Sequence, residues 1–216
     1  MTHMDGPRLP PRSGQAARAL VVLLHGYGAD GHDLIDLAAA WGAVLPQAAF
    51  VAPHAPAPCD QVPMGRQWFA LFDLDPRELA RGAEQAAPAL QAFIAAERLR
   101  LDLSADRVAL VGFSQGGMMA LQVAMTGGEG FAAVVSYSGA FVAAATPVRR
   151  DAPPVLLVHG AEDEVVPPAL MMASAHLLAQ AGVSVRWHLC PGLGHGIDQA
   201  GLSLGGAFLS EHVNGV

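Results

Sequence analysis

The sequence predicts an α/β fold: a mainly parallel sheet covered by helices on both faces. Three observations predict it. Six short, β-prone apolar runs recur along the 216 residues, and stretches of helical character separate them. The runs are also nearly continuously apolar instead of alternating, which is what strands buried on both faces require. With 52% hydrophobic and 14% charged residues, the chain holds enough apolar material for one well-buried core. Residues 19–216 are therefore read as a single domain, preceded by a flexible segment, residues 1–18, of Gly, Pro, Arg and polar residues.

The first strand is expected at Ala19–Leu24, an unbroken aliphatic run that stops at His25-Gly26, and a helix follows near Asp33–Ala40. A second strand spans Ala48–Ala52. From Pro53 to Asp75 the chain shows little regular pattern, is rich in Pro and carries Trp68, Phe69 and Phe72; long loops in compact domains are usually functional, so this one is expected to wall the substrate pocket. The helix-forming stretch Pro76–Leu99 leads to a strand at Arg107–Val111, then a helix at Gln115–Met125 and a strand at Ala132–Ser136. The link from Ser138 to Pro154 is short, which leaves no room for a large lid domain and predicts an open site. Strand Val155–Val158, helix Pro168–Ala181, strand Val183–Leu189 and a last helix around Asp198–Val213 complete the order.

Composition removes several classes of function. The net charge is −7 and basic residues form no run, which argues against nucleic acid or an anionic membrane as partner. All twelve basic residues are arginine, so Schiff-base chemistry, a pyridoxal cofactor and a Walker phosphate loop, each of which needs a lysine, are excluded. Met1 to Arg18 offers no apolar stretch to serve as a signal, and the apolar runs are far too short to span a bilayer, so a cytoplasmic protein without integral membrane association is expected. Cys59 and Cys190 have no metal-ligand spacing and read as incidental thiols, their pairing left open. A homodimer is neither required nor excluded.

Chemistry concentrates at Gly112-Phe113-Ser114-Gln115-Gly116-Gly117, between the strand Val108-Ala109-Leu110-Val111 and the helical Met118-Met119-Ala120-Leu121. Gly-x-Ser-x-Gly in that context is a nucleophile elbow. The turn is so tight that the residues two before and two after the serine nearly touch, and only glycine lacks the Cβ that would clash. It lifts the Ser114 hydroxyl clear of the sheet and leaves the Gln115 backbone N–H at a helix start, free to meet a developing negative charge. Gln115 is thus expected to act through its backbone, its side chain being of little consequence.

A serine needs a base, and the base needs a carboxylate to fix its tautomer. Among nine histidines, His195 fits best, since the Pro191-Gly192-Leu193-Gly194 loop can carry it back over the sheet edge. His25 and His159, each at a strand end before a glycine, are read as structural groups bonded to local backbone. For the acid, Glu162, Asp163 and Glu164 compete after Val155-Leu156-Leu157-Val158; Asp163 is favoured because a short side chain on a tight turn holds an imidazole more rigidly. Leu24-His25-Gly26-Tyr27-Gly28-Ala29-Asp30 ends the first strand in a glycine-bearing turn, so the Tyr27 N–H is expected to join that of Gln115 as the oxyanion hole. Phe141 and Val166 are added to Trp68, Phe69 and Phe72 as expected substrate-binding residues.

With these motifs together, and Ser138-Gly139 and His159-Gly160 beside them, the chain from about Leu20 to Val213 resembles the phospholipase/carboxylesterase family of α/β-hydrolases, which includes bacterial carboxylesterases and acyl-protein thioesterases. The order Ser114, Asp163, His195 is the order of that fold. The resemblance implies a serine carboxylesterase acting on short- to medium-chain carboxylic esters through an acyl-enzyme, with no metal or organic cofactor and a small-molecule ester or thioester as substrate. An acyl-protein thioesterase or lysophospholipase is the alternative within the family, and a non-catalytic ligand-binding protein is the alternative of a different class. One departure is visible: the family commonly follows its pocket tryptophan with an aromatic residue and then Asp, whereas here Trp68-Phe69 is followed by Ala70-Leu71-Phe72 before Asp73. Dienelactone hydrolases share the fold but carry Cys where this chain has Ser114.

Overall fold

The structure is a computed structural model that describes residues 4–71, 75–141 and 147–213. Its strands are β1 (Arg8–Leu9), β2 (Ala19–Leu24), β3 (Ala48–Val51), β4 (Ala57–Pro58), β5 (Arg66–Gln67), β6 (Val108–Phe113), β7 (Ala133–Tyr137), β8 (Val155–Gly160) and β9 (Val185–Cys190). The helices are α1 (Gly31–Ile35), α2 (Leu37–Trp41), α3 (Pro76–Arg100), α4 (Gln115–Thr126), α5 (Pro168–Gln180) and α6 (Gln199–Val213). Seven strands make one sheet in the order β1-β3-β2-β6-β7-β8-β9, while β4 and β5 pair apart as a small antiparallel ribbon. Within the large sheet β1 runs antiparallel to β3 and every other neighbour is parallel.

Strand residues alternate between two cores, as the two-residue period of a strand demands. Leu20, Val22, Leu24, Val108 and Leu110 pack with α3, α4 and α5, whereas Ala19, Val21, Leu23, Ala109 and Val111 pack with α1, α2 and α6. Each Val or Leu side chain so buried contributes roughly 1.5–3 kcal/mol. This explains why the central strands read as unbroken apolar runs: both of their faces are covered. The chain leaves β2 toward β3 on one side and later proceeds from β6 toward β9 on the other, so the topology reverses between β2 and β6. In open parallel sheets such a reversal opens a crevice at the carboxyl ends of the strands, where sites form.

Two expectations change. Residues 1–18 are not a wholly flexible leader: Arg8 pairs with Val51 and Leu9 with Phe50, and the Arg8 guanidinium grips the buried Glu97 carboxylate of α3 at 3.0 and 2.7 Å. The segment closes the open edge of β3, which would otherwise present unpaired backbone groups, but a two-residue strand is too short to announce itself by periodicity. The single helix expected at Asp33–Ala40 is divided at Asp36 into α1 and α2. The loop from Pro53 to Asp75 holds the β4–β5 ribbon; Phe72 and Asp73 lie outside the described residues. Among the described residues no lid domain covers the sheet's carboxyl end, and no helix is long and apolar enough to cross a membrane.

Candidate active site

The turn after β6 carries Ser114 at φ 53°, ψ −118°, a left-handed conformation that costs a non-glycine residue energy and persists only where the surroundings enforce it. They do so by contact. A Cβ on Gly112 would lie 2.1 Å from the Gly116 carbonyl oxygen, and one on Gly116 would lie 1.9 Å from that of Leu24. The Ser114 N–H donates to the Tyr137 carbonyl at 2.8 Å, and Gln115 opens α4, where its own N–H has no partner within the helix.

β8 and β9 are parallel neighbours whose last residues, Gly160 and Cys190, stand opposite each other, so the loops that follow them run side by side. The Glu162 N–H donates to the Leu193 carbonyl at 2.9 Å, and a Cβ on Gly160 would meet the Gly194 oxygen at 2.1 Å. This close seam brings His195 to Asp163, and His195 Nδ1 donates to Asp163 Oδ2 at 2.7 Å. The other carboxylate oxygen accepts the N–H groups of Val165 at 3.0 Å and Val166 at 2.9 Å. Burial pushes the Asp163 carboxyl up, but hydrogen bonds from His195 and the Val166 backbone outweigh it and hold the group below the usual carboxylate range. Glu162 and Glu164, the competing acids, are exposed to solvent. The imidazole of His195 lies against the Phe113 ring, with centroids 4.8 Å apart, immediately beside Ser114 in sequence.

His159 stands behind the acid, fully buried, with Nε2 donating to the Val166 carbonyl at 2.7 Å and lying 3.3 Å from Asp163 Oδ2. Burial lowers its pKa. A neutral imidazole there keeps the acid loop closed. His25 has a comparable role at the end of β2: Nδ1 donates to the Gly26 carbonyl at 2.8 Å and Nε2 accepts the Ala55 N–H at 3.0 Å. Gly26 brings the turn bearing Tyr27 so close to the elbow that a Cβ on it would stand 3.5 Å from the Ser114 Cβ. Tyr27 and Gln115 thus sit on the two backbone turns that flank the serine.

Sequence reasoning missed what the Gln115 side chain does. Its Oε1 accepts the Trp68 N–H at 2.9 Å and its Nε2 donates to the Phe69 carbonyl at 2.8 Å, while the Trp68 indole donates to the His25 carbonyl at 2.9 Å. The aromatic segment is fastened to both turns, and nothing in local spacing signals it. Of the expected substrate-binding residues, Trp68, Phe69, Phe141 and Val166 are 3%, 8%, 5% and 2% exposed and pack in the core cluster, a burial comparable to the 8% of Ser114 itself. The Phe69 ring lies so close to α3 that a Cβ on Gly82 would come within 2.5 Å of it. The Phe141 N–H is bound by Ser174 Oγ at 2.8 Å, and Val166 serves the acid loop through its backbone. Phe72 lies outside the described residues. Cys59 and Cys190 are free thiols.

The chain is similar to several known proteins. The family described as Phospholipase/Carboxylesterase matches residues 11–213. Acyl-protein thioesterase 1 of Gibberella zeae is 29% identical, over 97% of this chain and 98% of that protein. Esterase YpfH of Escherichia coli K12 is 27% identical, over 84% of this chain and 78% of that one. Among solved structures, esterase PE8 is 42% identical with a TM-score of 0.89, over 97% of this chain and 99% of that one.

Proposed function

The chain belongs to the phospholipase/carboxylesterase family of esterases and thioesterases, with the α/β-hydrolase fold, and from that premise we propose that it is a serine carboxylesterase of short- to medium-chain carboxylic esters. Ser114 Oγ attacks the ester carbonyl while His195 Nε2 takes its proton. The negative charge that forms on the carbonyl oxygen is met by the backbone N–H groups of Tyr27 and Gln115. Collapse breaks the bond to the alkoxy oxygen, which leaves as an alcohol carrying the proton from His195. Water, deprotonated by the same imidazole, then attacks the acyl-serine, and the proton returns to Ser114 as the acid departs. Asp163 orients His195 and stabilises its charged form. None of these steps calls on a cofactor.

The observation that carries the reading is the 2.7 Å bond between His195 Nδ1 and Asp163 Oδ2, on loops sealed together beside the strained Ser114 turn. A carboxylate with both oxygens engaged leaves the imidazole one tautomer, with its Nε2 lone pair available as base. Labelling with a fluorophosphonate probe, located on Ser114 by mass spectrometry, tests it. An unlabelled folded protein would overturn the reading and favour a ligand-binding role. Esters are preferred to acyl-protein thioesters because the 42%-identical structure is that of an esterase, whereas the thioesterase relative shares 29%. Parallel rates on p-nitrophenyl esters and acyl thioesters of matched length decide between them.

A further inference from the structure

Asp30, His32 and His54 meet at the surface just beyond the carboxyl ends of β2 and β3, and the fold explains why. Asp30 and His32 belong to the start of α1, which follows β2, while His54 follows β3, the parallel neighbour of β2. Residues just beyond the carboxyl ends of adjacent strands arrive side by side. One ligand atom from each of the three lies within 4.8 Å of the others. Asp30 Oδ1 stands 3.2 Å from His32 Nδ1 and 3.9 Å from His54 Nδ1, and the two imidazole rings are 5.1 Å apart. Ligands about 2.0–2.1 Å from a tetrahedral zinc ion are about 3.3–3.4 Å from one another. The Asp30–His32 pair already has that spacing, and rotation of the half-exposed His54 and the exposed His32 side chains, by up to about an ångström at the ring nitrogens, would close the group around one ion.

We propose that Asp30, His32 and His54 form a binding site for one zinc-class divalent ion, separate from the serine, histidine and aspartate of the proposed reaction. Two imidazoles and one carboxylate are donors for zinc and its borderline neighbours; magnesium and calcium prefer an all-oxygen shell. His54 is already in the right tautomer, since its Nδ1 accepts the Gly31 N–H at 3.1 Å and so carries a lone pair on the side facing Asp30. The ion displaces that backbone donor, which moderates affinity. His32 needs only to hold its proton on Nε2, leaving Nδ1 for the metal. With the three side chains 39%, 70% and 28% exposed, an ion has direct access and a fourth position remains for water. Once bound, it would tie α1 to the segment after β3. That segment is joined to His25 by the Ala55 N–H at 3.0 Å, so the ion braces the turn that bears Tyr27.

The test is titration of the full chain with zinc chloride by calorimetry, with cobalt(II) absorption as a second probe of the donor set. One equivalent should bind and raise the thermal midpoint. Loss of an outer-shell partner already costs about 10- to 100-fold in metal affinity, so loss of a ligand, His32→Ala, should cost about 100-fold or more and abolish the thermal shift. His54→Gln should do the same, which guards against a folding artefact in either variant. Magnesium chloride at the same concentration should not bind. Zinc bound undiminished by His32→Ala, or lost instead on His195→Ala, would overturn the site.

Discussion

Gln115 and Trp68 hold each other across 47 positions of sequence: the Trp68 N–H donates to Gln115 Oε1 at 2.9 Å, at the start of the helix whose first N–H is assigned to the oxyanion. The same carboxamide donates to the Phe69 carbonyl at 2.8 Å, so one side chain satisfies a buried donor and a buried acceptor. Gln115→Ala is expected to destabilise the protein by roughly 1–3 kcal/mol for each group left unsatisfied. It should also lower kcat/KM by roughly 10- to 100-fold, through kcat, as the turns around Ser114 loosen. Gln115→Glu keeps the acceptor and loses the donor, and should fall between. Urea unfolding beside steady-state kinetics checks both; an Ala variant with wild-type stability would show the clamp to be dispensable.

Ser114→Ala should cut turnover by roughly 10⁴- to 10⁶-fold with the fold intact. Asp163→Asn should be severe as well, because it removes the charge that orients His195, whereas the exposed Glu162→Gln and Glu164→Gln should stay near wild type. Rates on a p-nitrophenyl ester, with circular dichroism as the folding control, decide. Activity lost in Glu162→Gln and kept in Asp163→Asn would move the acid.

Gly116→Ala should be structurally disruptive, since its Cβ would stand 1.9 Å from a backbone oxygen of β2 that cannot step aside. A cost of about 3 kcal/mol or more is expected. Gly128→Ala, where a Cβ would meet nothing within 4 Å, is the matched control and should be close to neutral. Equal midpoints for the two variants in thermal unfolding would contradict the tight elbow.

Acid should weaken the fold through His25. Burial lowers its pKa to about 4, against the bond to the Gly26 carbonyl that favours the charged form, and the Ala55 N–H needs its Nε2 unprotonated. Unfolded, the imidazole titrates near 6.5, so between that value and about 4 the unfolded chain binds the extra proton and the folded one does not. The contribution is therefore complete above 6.5 and is lost as pH falls toward 4, on the order of 3 kcal/mol in all. Unfolding free energy measured across this window should rise with pH, and His25→Asn, which can still donate and accept, should flatten the slope. An unchanged slope in that variant would assign the effect to other groups, His159 first.

Strand and helix positions were legible because they follow from local periodicity: the expected Ala19–Leu24 and Val155–Val158 and the observed β2 and β8 differ by two residues at most. The edge strand at Arg8–Leu9 was not legible, since its partner is Phe50-Val51 and two residues carry no period. The anchoring of Trp68 and Phe69 in the core was not legible for a related reason. An aromatic pair in a Pro-rich loop carries no periodicity to show that it packs in the core.

By itself, the sequence determined the α/β order of elements, the elbow around Ser114 and the succession of serine turn, acidic loop and histidine loop, because glycine spacing and apolar runs act within a few residues of where they stand. Only the tertiary structure decided which of three neighbouring acids meets His195, where the Gln115 carboxamide goes, and that Asp30, His32 and His54 converge. Those outcomes depend on register: Gly160 opposite Cys190 and Val22 opposite Val51 set which loops lie side by side, and a one-residue slip would turn each side chain to the other face of the sheet.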